Sequence, residues 1–176
     1  MIAKLAKNKI ENEEGLNHLW IRWNAFGPAR DGKLRIGLPK GVLRKPNLSG
    51  FAEDERGRIV IYETCVSDGV LLELYTEGPT PAGKTAIDVE LAYLDAAGQS
   101  CSAIRKVPLE IVEETEMLDV AIDQEVANLV KLIRENGRKL ADADALAHPL
   151  ANRRWIARSD CSDLEKKYRI EGRAAR

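Results

Sequence analysis

The chain has 176 residues, 44% of them hydrophobic and 31% charged, enough to bury a core without disulfides or a structural metal. Its 27 basic and 28 acidic side chains nearly cancel, which argues against a dedicated nucleic-acid binder and against strong attraction to anionic membranes. No apolar run approaches the roughly 18 residues of a membrane span, and Met1-Ile2-Ala3-Lys4-Leu5-Ala6-Lys7 lacks the apolar stretch of a signal peptide. The expectation is a cytoplasmic protein of one domain with an appendage.

Residues 1–14 read as an N-terminal extension, and the β pattern begins after them. Leu19, Ile21 and Trp23 alternate with His18, Trp20 and Arg22, the period-two signature of a strand. Leu34, Ile36 and Leu38 alternate with Lys33, Arg35 and Gly37. The segment 39–57 is irregular, with room for a short edge strand at Val42-Leu43 beside Pro39 and Pro46. Arg58-Ile59-Val60-Ile61-Tyr62 is a short β-branched run. Val70, Leu72 and Leu74 share a face opposite Leu71, Glu73 and Tyr75. In 84–94, Ile87, Val89, Leu91 and Tyr93 lie on one side, and Asp88 and Glu90 on the other. In 103–113, Val107, Leu109 and Ile111 share a face. These last two runs predict a hairpin closed around Gly98. Asp31-Gly32, Asp54-Glu55-Arg56-Gly57 and Ser67-Asp68-Gly69 read as further turns. Short alternating strands with regular turns, and no long helical pattern between them, predict an antiparallel sandwich.

After residue 115 the period changes. Leu118, Ile122, Val126, Leu129, Ile133 and Leu140 recur on one helix face. Asp123 is a suitable N-cap and Asn136-Gly137 a suitable stop, giving a helix over about 123–136. Lys139 to His148 could form a second helix before Pro149. Ser162-Asp163-Leu164-Glu165 matches a capping box for a third, and disorder is expected beyond Glu171. Residues 138–176 carry 10 basic and 6 acidic side chains, a sum of +4, against −5 for residues 1–137.

The chain supplies little recognisable chemistry. Cys65, Cys101 and Cys161 form no close pair, and His18 and His148 lie far from them and from each other. That spacing suits reduced thiols better than zinc ligands. No metal or cofactor set is predicted. Gly83-Lys84-Thr85 ends like a phosphate loop. However, Pro79 and Pro81 remove the backbone donors such a loop needs, and a strand pattern follows it rather than a helix. Asp88 and Glu90 read as the wet face of a strand. With only two histidines, the usual general base is scarce, so no catalytic residue is assigned. A Cys65–His18 nucleophile pair is the enzymatic alternative, which would make the chain a small hydrolase.

Four residues stand out for binding. Trp23 shares the core face of its strand, whereas Trp20 lies on the opposite face. There it either anchors a partner or is covered by the helix that starts near 123. Arg153 and Arg154, followed by Trp155 and Ile156, form an aromatic-plus-basic cluster. With Lys166-Lys167-Tyr168-Arg169 that cluster could touch RNA. The other reading docks Trp155 on the β body or on a second chain.

Ile87-Asp88-Val89-Glu90-Leu91-Ala92-Tyr93-Leu94-Asp95, then Gly98, Val107-Pro108-Leu109-Glu110-Ile111-Val112 and the helix at Asp123-Gln124-Glu125-Val126, resemble a segment known from bacterial proteins. It is the β-sandwich segment, then helix, that trails von Willebrand factor A domains, and the strand pattern is also similar to small immunoglobulin-like accessory modules. The A domain's own D-x-S-x-S metal motif is absent, so metal-dependent adhesion is not implied. The resemblance implies a protein-contact module and names no functional residue. The fold expected is α+β: an antiparallel immunoglobulin-like β-sandwich over 15–114, followed by a helical C-terminal tail over 115–176. The function expected is a non-catalytic interaction or assembly module. It would bind a protein partner or self-associate through a sheet edge or the amphipathic helix.

Overall fold

The computed structural model describes residues 1–23, 30–63 and 68–136. Nine strands form two sheets: β1 (Ile2–Leu5), β2 (Lys9–Glu11), β3 (Leu16–Trp23), β4 (Arg30–Gly37), β5 (Val42–Arg44), β6 (Ile59–Glu63), β7 (Asp68–Thr76), β8 (Gly83–Leu94) and β9 (Ser100–Val112). The four-stranded sheet runs β1-β3-β7-β5 and the five-stranded sheet β2-β9-β8-β4-β6. A 3-10 helix (Glu114–Asp119) and α1 (Gln124–Asn136) follow. The molecule is therefore β-rich with little helix among the described residues, none of it long and apolar enough to cross a membrane.

One core lies between the sheets. Leu19, Ile21 and Trp23 of β3 meet Ile87, Val89 and Leu91 of β8, with Val70, Leu72 and Leu74 of β7 and Val107, Leu109 and Ile111 of β9. These are the inward faces that the two-residue alternation marks, because successive side chains of a strand point to opposite sides. The β8–β9 hairpin pairs without a break from Gly83↔Ile111 to Leu94↔Ser100. Its turn is held by Asp95, whose Oδ1 accepts from the amides of Ala97 and Gln99.

Residues 1–14, read as an extension from the sequence, instead supply a strand to each sheet. β1 pairs antiparallel with β3, and β2 pairs parallel with β9, so the five-stranded sheet is mixed rather than purely antiparallel. Strands of four and three residues are too short to display a period. Asn17 fixes the crossing between them. This fully buried side chain accepts from the Lys7 amide at 3.0 Å and donates to the carbonyls of Lys7 at 2.8 Å and Lys9 at 3.2 Å.

Three other local expectations change. Asp31-Gly32 is not a turn but lies inside β4, where the register with β8 shifts and Asp31 takes φ 54; a bulge tolerates that conformation. Leu118 belongs to the 3-10 helix and is 91% exposed. Ile122 is held extended by a bridge to Lys7. Neither residue continues the face of α1, although their spacing fits it. The irregular segment 39–57 is organised around Glu53, which takes a two-pronged ion pair from Arg44 and hydrogen bonds from the Asn47 amide and side chain. Phe51 of that segment sits edge-on to Trp23, with ring centroids 6.0 Å apart. The expected helices at 139–148 and 163–169, and the disorder beyond Glu171, lie outside the described residues.

Candidate interaction face

Even-numbered residues of β3 point away from the core, onto the outer face of the four-stranded sheet. Cross-strand register arranges this face in rows. Trp20 lies beside Leu71, His18 beside Glu73, and Leu16 beside Tyr75, which in turn lies beside Leu43 of β5.

The Trp20 row is covered. Val126, Leu129 and Val130 of α1 pack with Ala6, Trp20 and Leu71 in a second apolar cluster. The amphipathic spacing of α1 produces this stripe, and Asp123 caps the helix by accepting from the amides of Glu125 and Val126. Lys4 of β1 clamps the helix start, 2.7 Å from Glu125 and 3.4 Å from Asp123. The hydrogen bond to Glu125 holds the Lys4 ammonium above its ordinary pKa, against an opposing effect of desolvation, and the charges of Glu125 and Asp123 add to the rise. Trp20 is only 4% exposed, with the Arg22 guanidinium 5.9 Å from its ring. A partner reaching Trp20 has to displace α1.

The next row is polar. His18 Nε2 lies 3.6 Å from Glu73, whose other oxygen pairs with Lys45 at 2.5 Å. The third row is apolar and open: Leu16 is 39% and Leu43 41% exposed, with Tyr75 half-buried between them. Lys45 lies 6.0 Å from the centre of the Tyr75 ring. A shallow hollow of about 500 Å³ opens here, floored by Leu16 and Tyr75 and rimmed by Lys45, Glu13, Glu14 and Glu77.

The rim is rigidly built. Thr76 Oγ1 donates to the Glu11 carbonyl and accepts from the Gly15 amide, and the Gly78 amide donates to the Glu13 carbonyl. Gly15 is required at this join, because a Cβ there would fall 2.3 Å from the Glu11 carbonyl oxygen.

The sheet edges are less available. Just before β2 the chain is taken up by the bridge from Lys7 to Ile122 and by hydrogen bonds between Asn8 and Ala121, and Lys9 of the strand itself donates to the Glu116 carbonyl. Part of β6 is covered by Ala52 and Glu53. The other two edges, β1 and β5, are only four and three residues long, a common protection against strand addition. On the outer face of the five-stranded sheet, Tyr62 and Ile104 are exposed, but β4 and β8 separate them. Ile104 stands opposite Glu90, which pairs with Arg35, and close to the Lys106–Asp88 pair. Isolated apolar residues of this kind are ordinary surface.

Of the four residues singled out for binding, only Trp20 falls within the described part. Arg153, Arg154 and Trp155 lie outside it, as does Cys65, so the Cys65–His18 pair is not brought into view. Among the described residues no group of three or more His, Cys, Asp or Glu could hold a metal ion. Gly83-Lys84-Thr85 opens β8 rather than a helix. The Leu16–Tyr75–Leu43 row was missed because it joins three strands that are distant in sequence. Its one local signal was Tyr75, an aromatic on the face opposite Leu72 and Leu74.

No protein-family model matches this chain, and a search of curated proteins finds no match either.

Proposed function

We propose that the chain is a non-catalytic protein-contact module that works through the outer face of its four-stranded sheet. The observation that carries this reading is the open Leu16–Tyr75–Leu43 row, an apolar strip one polar row away from the part of the face that α1 roofs. Contiguous exposed apolar surface marks a contact site more often than scattered residues do. The covered and shortened edges favour the face over strand addition.

An immunoglobulin-like sandwich is the finer fold reading, and strand placement supports it. The order β1-β3-β7-β5 parallels an A-B-E-D sheet, and β4-β8-β9 parallels C-F-G. The chain departs from that plan in visiting β5 before β6. The resemblance to the accessory segments that trail von Willebrand factor A domains agrees with a contact role, in the cytoplasm as the sequence suggests.

The test is a photo-crosslinking amino acid at position 75, with position 62 as a control on the opposite sheet. Higher-mass adducts should form from position 75 in the cells that make the protein, and their amount should fall in a Leu16→Ser/Leu43→Ser background. No adduct from position 75, or equal adducts from both positions, would refute the contact face.

A further inference from the structure

We infer that the hollow beside Tyr75 takes a basic segment of a partner protein, one that interleaves Arg or Lys with apolar side chains. This deepens the contact-module reading and rests on it. Three features converge on that chemistry. First, the floor is apolar: Leu16 and Tyr75 line it, and Leu43, beside Tyr75, continues the row outside it. Second, the rim carries Glu13, Glu14 and Glu77, and among the described residues none of these carboxylates makes an ion pair. Third, the lysine on this rim, Lys45, sits 6.0 Å from the Tyr75 ring and pairs with Glu73, so it leaves the charge of the other three carboxylates unmatched.

The order of the rows sets how such a segment would lie. Moving along β7 toward its end, Glu73 with Lys45 comes first, then Tyr75, then Glu77. Lys45 is matched by Glu73, so the excess negative charge sits on the far side of the apolar row. The turn that holds Glu13 and Glu14 is tied to Thr76 and Gly78 by backbone and hydroxyl hydrogen bonds. The carboxylates therefore stand on a fixed base beside the hollow. A segment with alternating character would place its apolar side chains on Leu16 and Leu43 and its cations against this rim. A hollow of about 500 Å³ has room for a few such side chains. An acidic segment would meet repulsion at the rim, and a purely apolar one would leave three carboxylates facing it without gain.

The experiment titrates the full chain with a peptide alternating arginine and leucine, followed by calorimetry and amide NMR. A peptide alternating glutamate and leucine serves as the control. The basic peptide should bind one to one, shift the amides of Leu16, Tyr75 and Gly78, and weaken several-fold between low and moderate salt. Glu13→Gln/Glu14→Gln/Glu77→Gln, all at exposed positions, should weaken it at least tenfold, and so should Leu16→Ser/Leu43→Ser. Should the leucine variant lose affinity while the glutamine variant keeps it, the basic partner is overturned and the contact face survives. Should neither variant lose affinity, both fall. A concentration-dependent dimer of the chain alone, broken by Leu16→Ser/Leu43→Ser, would place a second copy in the hollow and likewise overturn the inference.

Discussion

Replacing Asn17 by leucine keeps its γ-branched shape, adds the bulk of two methyl groups, and removes every hydrogen bond its side chain makes. Four backbone groups then lose a partner: the amides of Lys7 and His18, and the carbonyls of Lys7 and Lys9. A buried polar group left unmatched costs roughly 1–3 kcal/mol. Lys7 and Lys9 are half-exposed, so water recovers part of that loss. A total near 3 kcal/mol is expected, a large share of the roughly 5–15 kcal/mol that stabilises a domain. In urea unfolding followed by tryptophan fluorescence, at a slope of about 2 kcal/mol/M, the midpoint should fall by about 1.5 M. Asn17→Asp separates hydrogen bonding from volume. Its carboxylate can still accept from both amides, but it also faces the two carbonyls with no proton to donate. Burial and those carbonyls raise its folded pKa above the unfolded value of about 3.9. The destabilisation should therefore be small below about pH 4 and grow as pH rises toward the folded pKa. A leucine variant within about 0.5 kcal/mol of the parent, or an aspartate variant whose deficit does not change with pH, would show that Asn17 does not hold the sheet crossing.

Glu53 is a second titration test. Desolvation pushes its pKa up, but hydrogen bonds from Arg44 and Asn47 and the Arg44 charge outweigh this and lower it to about 2 from 4.5. The stabilisation is present above about pH 4.5 and lost as pH falls toward 2. Glu53→Gln should cost about 1–2 kcal/mol at neutral pH after allowance for solvent screening, and the deficit should vanish near pH 2; a constant deficit would point to shape rather than charge. For the α1 seat, Leu129→Ala should cost about 2–3 kcal/mol and red-shift the emission of Trp20 as water reaches the second cluster. Unchanged emission together with unchanged stability would mean that α1 does not cover Trp20.

Local pattern reaches far in this chain. The inward faces of β3, β7, β8 and β9 follow from two-residue alternation. The Asp95–Gly98 turn follows from residues that bond their own backbone, and α1 from its apolar spacing and its Asp123 cap. These features depend on neighbours within a few residues, so the order of residues carries them. Periodicity misleads where tertiary pairing overrides it. Leu118 and Ile122 fit the helical spacing, yet Leu118 lies in the 3-10 helix and the Lys7–Ile122 bridge holds Ile122 extended. Asp31-Gly32 carries turn residues but forms a bulge within a strand.

The candidate site lies on the other side of that divide. Leu16, Tyr75 and Leu43 acquire meaning as a row only through the registers of β3 with β7 and of β7 with β5. Glu13 and Glu77 become neighbours only because the Gly78 amide bonds the Glu13 carbonyl. Whether Trp20 faces a partner or lies beneath α1 depends on where the helix lands, which the Lys4 clamp and the Ala6–Trp20–Leu71 seat decide. Composition and alternation specify which side chains leave water. Contacts between strands far apart in sequence specify which of the remaining ones are left together on the surface.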